Sequence, residues 1–375
     1  MKALILLKYL LLFLLFCNFT AFALVYMGPG MGSLVSYSTS LLLLVYYFFS
    51  KPWHKPAIPF VIFSVLYFTI TSFNYTEIDT TNFFMKESLR FMIAIICGAE
   101  LMYRCKPKDF FYIFLIGAFS VILNAVVFPE ANVMYDLIRG RYSGFYLNPN
   151  SAGSACLFGF ALSYTIKSKT WRLLGQFAFT LGGIVTLSRT FVIVWLLINV
   201  IAIAKDKKNI LVPIIGGIVL LGVFTFTDTK IFASDRFDAL ESIFDEGPVQ
   251  TKTLEQDSRT STWAMYYDMI MDKPIFGHGF MKLQRKNGVL PGVHNTYLMV
   301  IGESGIIPFL LLIGLYGYLL MASFKLFKTR PELFYIMVIV SLAMLVSHTY
   351  FFAYNNVLLS MYVYLELRKI RELEK

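Results

Sequence analysis

Arginines and a histidine are the side chains of this chain best suited to chemistry. Arg189 stands in T-L-S-R-T (186–190), between two apolar runs. An arginine at a membrane edge is costly and marks a functional site by default. Its planar fork donates two parallel hydrogen bonds to phosphate oxygens and never loses its charge. The plainer reading is a side chain that snorkels to the headgroups. The short apolar run on each side and the adjacent Thr186 and Ser188 favour function. Arg259 lies in Q-D-S-R-T-S-T-W (256–263), at the expected start of a helix. Asp257 or Ser258 would cap that helix, and helix N-termini attract anions. Taken alone, Arg259 reads as a solvated arginine on a helix face, paired with Asp257. Arg236 and Arg285 are weaker candidates of the same kind. Arg139 and Arg141 precede N-P-N (148–150), where Asn148 and Asn150 can cap a helix that has Pro149 in its first turn.

His294 is the candidate for proton transfer. It is one of four histidines and opens the apolar run that follows the longest polar stretch. Near neutral pH its imidazole can accept a proton from a hydroxyl. The plainer reading is a capping or packing histidine. Asn295 can orient its ring. Glu303, inside an apolar stretch, is either a buried carboxylate partner or the polar group at a helix hinge. His348, in S-H-T-Y (347–350), either lines the same cavity or is packed. His278, in P-I-F-G-H-G-F (274–280), sits in a glycine turn without the strand or helix of a nucleotide loop. His54 reads as inert. Glu77 and Asp79 form an E-x-D pair with no third metal ligand in view, so no metal and no cofactor is expected. G-x-S-x-G, Walker A and H-E-x-x-H motifs do not occur, which removes support for ATP-driven transport and for serine or zinc hydrolysis.

The elements that must position these residues are membrane helices. Hydrophobic residues make up 57% of the 375 positions and charged residues 15%, against about a quarter charged in soluble domains. Twelve spans are expected: 3–24, 31–50, 57–73, 87–103, 110–128, 149–166, 173–188, 190–204, 209–227, 293–324, 333–351 and 355–367. The net charge of +10 falls in short loops and in the tail from Arg368 onward, which is the positive-inside pattern and not a nucleic-acid surface. Both termini are therefore expected in the cytoplasm. Residues 1–24 resemble a signal peptide ending in A-F-A, and an uncleaved first helix is preferred. The four cysteines lie in or beside apolar spans and form no disulfide or zinc pattern.

This divides the chain into helices over 1–227, an outer loop over 228–292 and helices over 293–375. Within the loop, 235–244 and 261–271 have helical spacing, with a flexible turn at 246–253. A loop this long with structure of its own points to function. One broken span is expected, at G-E-S-G-I-I-P (302–308), where an inverted-repeat transporter should show a pair.

Four pieces resemble the O-antigen polymerase and ligase superfamily of bacterial envelope glycosyltransferases. They are R-x-x-G with N-P-N (141–150), T-L-S-R (186–189), R-x-x-x-W with P-I-F-G-H-G-F (259–280), and H-N-T-Y-L with E-S-G-I-I (294–307). Residues 140–325 carry the likeness. His278 departs from it, because a small or apolar residue is expected between the glycines.

The resemblance implies an all-α, GT-C-like fold of about twelve transmembrane helices with a partly helical periplasmic loop, in the bacterial inner membrane. It also implies a metal-independent site at the periplasmic face and an undecaprenyl diphosphate-linked glycan as donor. Arg189 and Arg259 would bind the diphosphate, and His294 would activate the acceptor hydroxyl. Arg141, Asn148, Asn150, Asn295, Glu303 and His348 would line the substrate site. The acceptor is either a second lipid-linked repeat, as for a polymerase, or the lipid A core, as for a ligase. Membrane lipids and a chain-length regulator are the further partners. A polysaccharide flippase is the reading from another class.

Overall fold

The computed structural model describes residues 2–76, 83–131, 141–226, 259–284 and 292–374, with the backbone alone at 219–221, 223–226 and 259–261. Arg139, Arg236, Arg285, Glu77, Asp79, and the segments 235–244 and 246–253 lie outside the described residues. The described residues hold helices and no strand.

The helices are α1 (Lys2–Phe16), α2 (Phe19–Met27), α3 (Pro29–Phe49), α4 (Ile58–Phe73), α5 (Phe83–Arg104), α6 (Pro107–Val126), α7 (Pro149–Ser163), α8 (Lys169–Ile184), α9 (Arg189–Lys205) and α10 (Leu211–Phe226). Two short helices follow, α11 (Arg259–Ala264) and α12 (Tyr267–Asp272), and then α13 (Thr296–Ser304), α14 (Ile306–Lys325), α15 (Pro331–Val346) and α16 (Asn355–Leu373). Among the described residues, α3, α6 and α14 are each long and apolar enough to cross a membrane. The pair α1 and α2 makes a fourth candidate if counted as one span, bent by 69°.

The span 293–324 is two helices, broken inside the stretch 302–308 where a break is expected, because Gly305 at φ 77° ends α13 in a left-handed conformation. Two other expected elements come out differently. The span 333–351 ends at Val346, where Ser347 turns extended, so His348 lies in a loop. The periodic stretch 261–271 is split between α11 and α12.

The chain forms two compact units. One comprises residues 9–39 and 105–255, and its centre is α7. Twelve of the fifteen α7 residues are buried, and the sequence P-N-S-A-G-S-A-C-L-F-G-F-A-L-S is rich in small side chains. Small residues let helix backbones approach closely. A Cβ at Gly159 would overlap the Phe179 ring of α8, and one at Gly183 would overlap the Phe191 ring of α9. These contacts pack α7, α8 and α9 together and so place the ends of α7 and α9.

The other unit comprises residues 1–8, 40–104 and 256–375. An aromatic cluster ties α4 and α5 to the loop after α15. The Tyr67 and Phe351 rings stack at 3.9 Å, and Phe91 meets Phe351 at 5.0 Å. The buried carboxylate of Glu100 on α5 accepts from Arg104 Nε at 2.5 Å and from the His54 backbone N–H at 3.0 Å. A carboxylate inside an apolar helix is tolerable only when paired in this way. His54 is therefore part of that pairing.

Candidate functional site

In the first unit, the site is built at the starts of α7 and α9. Asn148 caps α7: its side-chain oxygen accepts from the N–H groups of Asn150 at 2.8 Å and Ser151 at 3.2 Å. Such a cap is worth about 1 kcal/mol, and Pro149 fits the first turn because its missing N–H would have no partner there. Ser188 caps α9 in the same manner, accepting from Phe191 N–H at 3.4 Å. The two caps are joined. Asn150 Oδ1 accepts from Ser188 Oγ at 2.9 Å and from the Arg141 guanidinium at 3.4 Å. Arg141 Nε donates to the Thr186 carbonyl at 3.1 Å.

Arg141 is buried, and Arg189 is the exposed first residue of α9. Two helix N-termini carry partial positive charge, and here both stand beside guanidinium groups. Such an arrangement attracts an anion. The sequence reading placed Asn148 and Asn150 together as caps. The structure divides the work: Asn148 caps α7, and Asn150 links α7 to α9 and to Arg141.

In the second unit, the site is built at the start of α13. His294 is exposed, with a backbone φ of 47°. A non-glycine residue in the left-handed region costs on the order of 1 kcal/mol or more and persists only where its surroundings fix it. They do so on both sides. Val293 N–H donates to the Leu283 carbonyl at 2.9 Å. His294 N–H donates to Nδ1 of His348 at 3.0 Å, and the two rings lie 4.7 Å apart. Asn295 caps α13, its side-chain oxygen accepting from Tyr297 N–H at 2.9 Å and Leu298 N–H at 3.1 Å. The expected orienting partner of His294, Asn295, thus serves the helix, and the group that meets His294 is His348. Burial, in a loop beside His294, pushes the His348 imidazole down to about 4. It is therefore neutral at neutral pH and able to accept.

Leu147, Leu187 and His294 immediately precede the caps of α7, α9 and α13, and each has a positive φ, at 57°, 48° and 47°. The same local device begins all three helices. It aims the chain abruptly into the helix and sets the N-terminal N–H groups at a defined angle.

Glu303 is fully buried near the end of α13. Its carboxylate accepts from Tyr67 O–H at 2.5 Å, Leu283 N–H at 2.9 Å and the Gln284 amide at 2.8 Å. It fastens the segment 283–284, whose Leu283 carbonyl in turn holds Val293. Glu303 sits two residues before the break at Gly305, and Tyr67, Leu283 and Gln284 hold it there.

The glycine turn closes that break. A helix end leaves carbonyls without partners, and the turn supplies donors. His278 N–H donates to the Gly302 carbonyl at 2.8 Å, and Gly279 N–H to the Glu303 carbonyl at 3.0 Å. In return Ile306 N–H donates to the Pro274 carbonyl at 2.9 Å. Gly277 and Gly279 have φ of 65° and 93°, while His278 between them does not need the left-handed region. This accounts for the departure at 278: the middle position tolerates a side chain, and here its Nε2 meets the Met269 carbonyl at 2.5 Å.

Arg259 begins α11, and only its backbone is described. Among the described residues, no three His, Cys, Asp or Glu side chains group as a metal site requires. Sequence reasoning missed Tyr67 and Gln284, which hold Glu303. Tyr67 is 236 residues away in sequence, and no local pattern marks it.

Comparison with curated proteins and with solved structures found no match. A comparison with family models found one, described as O-antigen ligase, over residues 174–313. The matched region contains Arg189, Arg259, the glycine turn, His294, Asn295 and Glu303, while Arg141, Asn148, Asn150 and His348 lie outside it. With membrane-length apolar helices in the same chain, this segment is similar to the O-antigen ligase family and supports the likeness to the O-antigen ligase and polymerase superfamily.

Proposed function

We propose that the chain is a membrane glycosyltransferase that polymerises undecaprenyl diphosphate-linked oligosaccharide repeats into O-antigen or a related surface polysaccharide. It acts at the periplasmic face of the bacterial inner membrane, with about twelve GT-C-like spans and both termini in the cytoplasm. The observation that carries the reading is the joined, capped pair of N-termini at α7 and α9, with buried Arg141 and exposed Arg189. A diphosphate fits that chemistry, because it offers several anionic oxygens to guanidinium forks and helix N–H groups.

Arg189 and Arg259 bind the diphosphate and stabilise the charge that grows on it as the bond between the anomeric carbon and the phosphate oxygen breaks. His294 removes the proton from the attacking acceptor hydroxyl. The bond to the lipid diphosphate is already activated, so no nucleotide is required.

A ligase that transfers the glycan to the lipid A core is the second reading, favoured by the description of the matched family. The polymerase is preferred because the loop 228–292 is modest in size and nearly charge-balanced. A protein meeting a strongly anionic core favours a basic surface. Nothing observed supports a flippase. Glu100 and Glu303, the carboxylates within apolar helices, are each held by several donors.

The test is a glycolipid gel of a strain lacking this chain, complemented with wild type or with His294→Ala. Core bearing a single repeat in the deletion and variant strains is expected for a polymerase. Bare core with polymer retained on the carrier lipid identifies a ligase. An unchanged ladder rejects both.

A further inference from the structure

We propose that His348 is a positioning residue for His294, acting as a hydrogen-bond acceptor that holds the backbone of the base in its left-handed conformation. The inference rests on the reading of His294 as the proton acceptor, and it reassigns His348 from substrate contact to support.

The geometry carries it. His348 Nδ1 is 3.0 Å from the His294 backbone nitrogen, so this ring nitrogen accepts and the ring proton of the neutral imidazole is on Nε2. The ring also walls the turn that precedes His294. A Cβ at Gly292 would stand 2.8 Å from His348 Cε1 and 2.9 Å from the Gln284 carbonyl, so position 292 admits no side chain without a shift. The loop that presents His348 is itself anchored to α13. Thr296 Oγ1 donates to the Ser347 carbonyl at 2.6 Å, and Thr349 N–H donates to Ser347 Oγ at 3.2 Å. His294 is thus gripped through its main chain, which leaves its ring in the exposed position a base requires.

Removing the acceptor frees the N–H of a residue already in an unfavourable conformation, and the backbone relaxes. A displacement of about 1 Å at a reacting group is enough to cost up to roughly a hundredfold in rate. Substrate binding does not depend on that hydrogen bond. The signature is therefore a fall in kcat with KM retained.

The experiment uses full-length protein in detergent or nanodiscs, with undecaprenyl diphosphate-linked repeats extracted from the deletion strain. His348→Ala is expected to lower kcat by about ten- to a hundredfold, with KM within about twofold of wild type. His348→Asn is expected to recover most of the rate, because its carboxamide oxygen can accept in place of Nδ1. The proposal is overturned if His348→Ala keeps wild-type kcat, if its main effect is on KM, or if folded His348→Asn is as slow as His348→Ala. If His348→Ala does not fold, the rate of folded His348→Asn decides alone. His294→Ala is run alongside. Full activity there would reject the base assignment, whereas loss there with an active His348→Ala would reject only the positioning role.

Discussion

At the scale of single residues, this chain uses its arginines in two ways. Arg141 is buried and bonded to the Thr186 carbonyl and to Asn150, so it organises the ends of α7 and α9. Arg189 is exposed at the start of α9 and is the group proposed to meet the diphosphate. Replacing Arg189 by Lys keeps the charge and removes the fork. We expect Arg189→Lys to lower transfer by at least about tenfold at equal expression, measured as glycan assembled in complemented cells. Full assembly in that variant would show that a diffuse positive charge is enough and that no bidentate contact is made. The candidate residues themselves were legible in the sequence, because a charged or titratable side chain beside an apolar run is conspicuous. Their partners were not. His348 was visible as a histidine but not as the acceptor for His294 N–H, since 54 residues separate the two.

At the scale of elements, the helix starts were readable and the helix break partly so. N-P-N announces its own cap and first turn, and α7 begins at Pro149 as that spacing predicts. G-E-S-G-I-I-P signalled a broken span, and the break lies at Gly305. What the sequence does not reveal is that the glycine turn at 274–280 provides the donors for the broken end. That is a tertiary match between segments with no shared periodicity. Two pieces of the family likeness, P-I-F-G-H-G-F and E-S-G-I-I, are thus the two halves of one structural contact. A Cβ at 305 would overlap the Ile275 carbonyl, and the backbone there is left-handed. We expect Gly305→Ala to destabilise the protein by more than about 2 kcal/mol, seen as a lowered melting temperature in detergent. An unchanged melting temperature would mean the break can rearrange without cost.

At the scale of the whole molecule, composition pointed to a helical membrane protein, and the charge distribution sets the orientation that is proposed. Helices occur in all the regions marked as apolar spans, although α4, α7, α8, α9, α10 and α15 are shorter than a membrane crossing of about 20 residues. The proposed orientation is checked by cysteine labelling in a background without the four native cysteines, which are all buried and in no disulfide. A cysteine at Thr76 should react with a membrane-impermeant reagent in intact spheroplasts, and one at Lys328 should react only after lysis. The reverse pattern would invert the topology and remove the periplasmic assignment of the site.

The exchange of hydrogen bonds between the glycine turn and the broken helix has a consequence for transplanting specificity between relatives. Residues 274–280 cannot be moved without leaving the Gly302 and Glu303 carbonyls and the Ile306 N–H unmatched in an apolar setting. A chimera that takes the segment 228–292 from a related chain should therefore keep its seam upstream of Pro274, or carry 302–306 along with the segment. Natural divergence faces the same boundary. Substitutions can accumulate before Pro274, while the turn and the break must change together or not at all.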